Sequence, residues 1–187
     1  MRTLGLVACL ALLAPAALAA PPPPAWTVDK TASSIRFTSS FNGAAFTGSF
    51  SRWSADIRFD PANLAASSVT ATIDTASAAS GDADRDQALP TDAFLAAAKF
   101  PRATYAAHAF KALGGGRYEA IGELTLRGVT KPLTLPFTLT IAGGQARMNA
   151  TMALNRLAFG VGQDEWRKTD AIPAAVNIVI AVTARRR

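Results

Sequence analysis

The chain is poor in the residues that most often carry chemistry. Its 187 residues include one cysteine, Cys9, and one histidine, His108. A lone histidine excludes a multi-histidine metal site. No Gly-x-Ser-x-Gly elbow is present, so a Ser-His-Asp hydrolase of that type is not indicated either. Long apolar runs are also missing. After residue 19 nothing approaches the roughly 20 apolar residues that a membrane-spanning helix needs. Charge is modest and basic, with 19 Lys and Arg against 13 Asp and Glu, a net +6. The basic residues are scattered, apart from Arg185-Arg186-Arg187. No stripe of them interleaves with aromatics, so no nucleic-acid partner is expected. The excess reads as a solubility feature, with attraction to an anionic lipid surface as the other reading.

The N-terminus is laid out for export. Met1-Arg2-Thr3 is a short positive start, residues 4–18 carry no charge, and Ala17-Leu18-Ala19 is a small-x-small cleavage site. Residues 1–19 are therefore expected to be a cleaved signal peptide and the protein to be periplasmic. Leu6-Val7-Ala8-Cys9 has the look of a lipobox, but it lies early in the apolar run, which continues past it. Once the signal is removed, no cysteine remains for a disulfide or a thiolate ligand. Residues 20–25, with Pro21 to Pro24, read as a stiff linker. Residues 26–187 form one domain.

What the chain does have is alternation. Ile35, Phe37, Ser39 and Phe41 share one face, and Phe46, Gly48 and Phe50 another. Trp53, Ala55, Ile57 and Phe59 follow with a change of phase, which predicts a bulge or bend near Ser51-Arg52. Val69, Ala71 and Ile73 alternate with polar neighbours, as do Tyr118, Ala120, Gly122, Leu124 and Leu126. Leu133, Leu135, Phe137, Leu139 and Ile141 run up to Gly143-Gly144, a hairpin turn, and Ala146, Met148, Ala150, Met152 and Leu154 return. Val176, Ile178, Ile180 and Val182 form the last strand. With a strand near residues 103–110, placing Thr104, Ala106, His108 and Phe110 on one face, eight or nine strands are expected.

Residues 80–98 break the pattern and read as helix interrupted at Pro90, with Asp82, Asp84 and Asp86 at its start. Thr91 or Asp92 is placed to cap a second turn holding Phe94 and Leu95. The three aspartates lack the Gly and distal Glu of an EF-hand loop, so they read as a solvated helix start. The expected fold is all-β, an antiparallel up-and-down barrel with a short helical excursion over one end, and a sandwich is the alternative. Eight strands suffice to enclose one small ligand. By pattern alone, the inward apolar faces fit a filled core as well as a cavity.

Several motifs, in order, resemble the YceI-like family, the lipocalin-like polyisoprenoid-binding proteins of bacteria. Trp26-Thr27-Val28-Asp29 with Ser33-Ser34-Ile35-Arg36-Phe37 is similar to its first strand, and Gly48-Ser49-Phe50 with Ile57-Arg58-Phe59-Asp60-Pro61 to its next segment. Ser68-Val69 through Ile73-Asp74 fits the following strand. Arg85-Asp86, Leu89, Phe94 and Lys99-Phe100-Pro101 fit the helical excursion. Gly122-Glu123-Leu124-Thr125-Leu126-Arg127-Gly128-Val129-Thr130-Lys131-Pro132 resembles the core motif, and Asn155-Arg156 with Phe159-Gly160-Val161-Gly162 a late segment. With Gly162 and Trp166, the version here is most like members associated with cytochrome b561. Many members carry His in the first loop where this chain has Ala32.

The resemblance implies an eight-stranded lipocalin-like barrel around an elongated apolar cavity. It implies a periplasmic carrier of an isoprenoid lipid or isoprenoid quinone, with no catalysis and no cofactor beyond that bound molecule. The alternative is an accessory module for a membrane redox partner (cytochrome b561-like) or a stress-response system. The oligomeric state is left open, a homodimer being one arrangement. The expected lining is Phe37, Phe41, Phe46, Phe50, Trp53, Ile57, Phe59, Leu124, Leu126, Leu135, Phe137, Met148, Met152, Leu154 and Phe159. Parity groups these residues without fixing which face is inside. Arg127 and Arg156 are expected to pair with carboxylates or backbone carbonyls, with a head-group contact as the alternative. Arg85-Asp86 is expected to tie the cover to the barrel, and His108 to lie at the surface or rim.

Overall fold

The computed structural model of the protein describes residues 21–187. The expected signal peptide, residues 1–19, and Cys9 lie outside the described residues. The strands are β1 (Ala25–Val28), β2 (Ser34–Phe41), β3 (Ala44–Phe50), β4 (Trp53–Arg58), β5 (Ser68–Asp74), β6 (Ala78–Ala79), β7 (Arg102–Gly114), β8 (Arg117–Leu126), β9 (Val129–Ala142), β10 (Gln145–Asn155) and β11 (Ala175–Arg186). All pairings are antiparallel, and the order β1-β4-β5-β7-β8-β9-β10-β11 closes because β11 also pairs with β1. Along its other half β11 pairs with β2, which pairs with β3. Thus β1 and β2 are two halves of one broken strand, and β3 and β4 are two halves of another. Counted that way, eight strands close the barrel, and no sandwich forms.

Both breaks have side-chain causes. Between β1 and β2 the Asp29 carboxylate accepts from the backbone N–H groups of Thr31 (3.0 Å) and Ala32 (3.3 Å). These bonds hold its pKa below the usual carboxylate value, the Thr31 hydroxyl contributing most. Ser33 Oγ then accepts from Thr183 N at 2.9 Å, standing in for the interrupted ladder. Ala32 is exposed in this turn, on the outside of the barrel. Between β3 and β4 the bend expected at Ser51-Arg52 is present. Ser77 holds it, its Oγ accepting from Arg52 N at 3.1 Å while its carbonyl accepts from Ser51 N at 3.3 Å. Ala25, read as the end of the linker, opens β1, and the Pro24 carbonyl accepts from Phe59 N at 3.2 Å.

The excursion is less helical than its composition predicts. Only α1 (Ala83–Ala88) is helix, capped by Asp82, whose carboxylate accepts from Arg85 N at 3.0 Å. Residues 89–100 are successive turns closed by bonds such as Leu95 N to Leu89 O (3.0 Å) and Ala96 N to Thr91 O (2.8 Å). Pro90 supplies no N–H, and Ala96 sits at φ +49°, outside right-handed helix. Thr91 donates its hydroxyl to Ala88 O rather than capping a second helix.

Beneath this cover, the two-residue turn Arg127-Gly128 joins β8 to β9. Both residues have positive φ, 51° and 74°, the type I′ geometry that suits a tight hairpin. A side chain at 128 would meet the Phe100 ring at 2.5 Å, and Arg127 Nη2 donates to Asp92 O at 2.6 Å. The Arg-Gly turn thus clamps the cover to the barrel.

Candidate functional site

The barrel interior holds one elongated cavity of about 630 Å³, within the range of small-molecule sites. Fourteen of the fifteen expected lining residues face it: Phe37, Phe41, Phe46, Phe50, Trp53, Ile57, Phe59, Leu124, Leu126, Leu135, Phe137, Met148, Met152 and Leu154. Alternation grouped them correctly, and closure of the sheet turns the grouped faces inward. Phe159 is the exception. It is 3% exposed in the 3₁₀ turn Arg156–Phe159 and is not part of the wall.

The wall includes residues that the sequence reading left out. Every second residue of β11, from Val176 to Ala184, faces the cavity. Trp26, Ile35, Ile73, Tyr105 and Phe110 do as well. The alternation in these strands was the available signal. Phe110 is more instructive, because parity placed it with His108, opposite Tyr105. A bulge between Ala107 and Ala109 shifts the register, so Tyr105, Ala107 and Phe110 all turn toward the core while His108 is exposed.

The two ends of the cavity differ. At one end Phe59 (6% exposed) meets Phe110, Tyr118 and Phe137 at centroid distances of 5.2, 5.6 and 6.0 Å. Trp26 seals this cluster, its indole N–H donating to Phe59 O at 2.9 Å. We call this end the base. At the other end the lining includes exposed Asp82 and Asp84, with half-buried Arg85, Phe94 and Trp166. This is the mouth. Arg85 lies over the Phe46 ring, 4.4 Å from its centroid, and Trp166 packs against Phe94 and Phe41 at 5.6 and 6.2 Å. Asp86 is turned away from the cavity. It accepts from Ser80 N (2.6 Å), Ser80 Oγ (2.8 Å) and Gly81 N (3.2 Å), and these bonds lower its pKa. Asp86 thus ties α1 to Ser80-Gly81 within the excursion, and the contact from this pair to the barrel is Arg85 over Phe46, at the rim.

Polar groups in the wall are few. The Tyr105 hydroxyl is satisfied by Ala120 O (2.8 Å) and Leu133 O (3.3 Å). Burial pushes its pKa up to about 12. A raised pKa means the folded state favours the neutral phenol, so that stability is intact below pH 10 and lost as pH rises toward about 12. At 1.36 kcal/mol per unit the loss amounts to roughly 2–3 kcal/mol. Urea unfolding of the wild type should therefore weaken across that window relative to Tyr105→Phe, and parallel alkaline profiles would refute this reading. Ser39 Oγ is buried in the wall and has no hydrogen-bond partner. Arg156 borders the cavity but gives four of its donor bonds to backbone carbonyls: Nε on Pro173 O, Nη1 on Val161 O, and Nη2 on Ile172 O and Lys168 O, at 2.8–3.2 Å. Among the described residues no cluster of His, Cys, Asp and Glu is placed to hold a metal.

Known proteins share this architecture. The chain is 39% identical over 111 residues to a UPF0312 protein of Vibrio vulnificus, the match covering 59% of each. It is 45% identical over 96 residues to a UPF0312 protein of Yersinia pestis, covering about half of each. The chain thus spans less than two thirds of the length of these relatives. Among solved structures, Burkholderia cenocepacia BcnA superposes with a TM-score of 0.81 at 30% identity, covering 84% of this chain and 99% of that one. A polyisoprenoid-binding domain from Saccharophagus degradans, implicated in plant cell wall breakdown, superposes with a TM-score of 0.68 at 15% identity, covering 88% and 99%. At that identity the likeness speaks for the fold alone. The YceI-like domain matches residues 26–184, from the tryptophan that seals the base through the cavity-facing end of the last strand, and the chain belongs to the YceI-like family.

Proposed function

We propose that this protein binds an isoprenoid lipid or isoprenoid quinone and serves as its carrier or reservoir in the periplasm, without catalysing a reaction. The observation that carries the reading is the cavity itself, about 630 Å³ and walled almost wholly by Phe, Leu, Ile, Val, Met and Ala. Such a wall offers no chemistry, but it does offer a place out of water. Burial is worth about 0.8 kcal/mol per methylene. Even at the ~0.3 kcal/mol per heavy atom typical of drug-sized ligands, a tail of about twenty carbons gains about 6 kcal/mol. The tail can thus supply the affinity without a charged contact. The polar head would rest toward the mouth, where Arg85 stands at the rim. The polyisoprenoid-binding domain of Saccharophagus degradans, built on the same fold, is in keeping with this ligand class. The export layout of residues 1–19 supports the compartment.

The test is solvent extraction of protein purified from its host without detergent, followed by mass spectrometry. A near-stoichiometric prenyl lipid or quinone is expected. An empty extract, together with no uptake of added prenyl lipid, would overturn the carrier reading. It would favour the rival, an accessory module acting on a membrane redox or stress-response partner.

A further inference from the structure

We propose that the base of the barrel docks on an anionic lipid bilayer, leaving the cavity mouth turned away from that surface. In the sequence the basic residues look scattered, but the topology gathers them. Lys111 and Arg117 flank the β7–β8 hairpin tip, and Arg147 follows the β9–β10 tip. Arg185, Arg186 and Arg187 run alongside the latter, with Arg185 paired to Gln145 and Arg186 N donating to Gly144 O at 2.9 Å. The Arg187 backbone reaches Ala25, which pairs with Arg58 on β4. These seven cations circle one end, and all are exposed.

Neutralisation sets the two ends apart. The three ion pairs among the described residues, Arg52–Asp74, Arg85–Asp82 and Lys99–Asp92, all lie toward the mouth. None of the seven basal cations is in an ion pair among the described residues. Among the described residues the acidic groups near these cations are Asp29, Asp56, Asp60 and Glu119, fewer than the seven cations. Apolar groups sit inside the cationic ring. Leu113 and Ile141, 39% and 38% exposed, stand at the neighbouring hairpin tips. Cations around exposed apolar tips fit a surface of anionic head groups over hydrocarbon, which takes both. A nucleic acid would reward the charge and not the apolar tips.

Docked in this way, the barrel presents its aromatic-packed base, with Ile141 at the rim of the cavity wall there, to the bilayer and its mouth to the compartment. Cargo would then exchange with a second body rather than with the membrane that holds the protein. The inference does not depend on what fills the cavity.

Vesicles test it. The protein should co-sediment with phosphatidylcholine vesicles containing phosphatidylglycerol, fail to do so with phosphatidylcholine alone, and dissociate at high salt. Each arginine near such a surface contributes about fivefold in affinity, so Arg185→Ala/Arg186→Ala/Arg187→Ala should weaken binding roughly 100-fold. Lys111→Ala/Arg117→Ala/Arg147→Ala, on other strands, should do the same and stands in if the first variant misfolds. Lys99→Ala, at the mouth, should change nothing. Equal binding to neutral vesicles, undiminished binding by both basal variants, an equal loss in Lys99→Ala, or tighter binding to duplex DNA than to the anionic vesicles would each overturn the proposal.

Discussion

Arg156→Met should destabilise the protein by about 4 kcal/mol and loosen the segment from residue 156 to residue 173. Arg156 is 4% exposed, and its guanidinium bridges four backbone carbonyls, those of Val161, Lys168, Ile172 and Pro173. No carboxylate balances it among the described residues. Burial lowers its pKa, yet arginine starts so far above neutrality that it keeps its charge. Four carbonyls converging on one cation are well solvated by it. Without it they lose their shared donor in a part-buried setting, and each one that water does not reach costs about 1–3 kcal/mol before relaxation. Lysine brings its donors from a single point and spans fewer of them, so Arg156→Lys should recover less than half. Gly162 gives an internal check. A Cβ there would fall 1.9 Å from Arg156 Nη1, on a backbone at φ +90°. Gly162→Ala should therefore cost less beside Arg156→Met than alone, since the clash with the guanidinium goes while the backbone strain and a 2.9 Å approach to Trp166 O remain. Urea midpoints across this double-mutant cycle measure it. An Arg156→Met protein within 1 kcal/mol of wild type would show that water replaces the guanidinium freely.

The same arginine marks the border of what the sequence makes legible. Alternation in β2 to β5 and β8 to β11 grouped the residues that share a face, and closure of the barrel decides which of the two faces is buried. The parity argument fails where the backbone adds a residue. His108 sits at a bulge, and the extra residue carries Phe110 to the face that strict counting gives to Tyr105. Nothing in Ala106-Ala107-His108-Ala109 announces that bulge, which is set by pairing with Gly122 and Ile121 across the sheet.

The cover was misread for a different reason. The alanines between residues 80 and 98 favour helix in isolation and the aspartates favour a helix start, but Leu95, Ala96 and Ala97 are 6%, 1% and 6% exposed within the cover. Packing over the barrel end selects turns instead. The family's Arg-Gly and Phe-Gly motifs gave the order of the pieces but not their roles. Arg127 gives one bond to Asp92 O while its Nε stays without a partner, and Arg156 gives four bonds to main-chain carbonyls, partners that no linear reading assigns.

Filling the cavity should separate a carrier from a packed core, because the two predict opposite signs for one substitution. Ala71 lines the cavity at mid-barrel, paired with Ala55 on β4 and Tyr105 on β7. In a packed core, Ala71→Phe would force neighbours off their rotamers and cost about 1–3 kcal/mol. In an empty apolar cavity the ring enters unoccupied space and gains new contact, so ligand-free stability should hold or rise by about 1 kcal/mol. Ligand capacity should then fall, since the added ring occupies the path of an extended tail. At least a tenfold loss of prenyl-lipid affinity is expected. The informative result is the pair of measurements on one variant, thermal stability of the ligand-free protein and uptake of a prenyl lipid. Stability retained with uptake lost places the ligand in the barrel. Stability lost by more than 1 kcal/mol means the space closes up in solution. Stability and uptake both retained would send the search for the ligand to another surface.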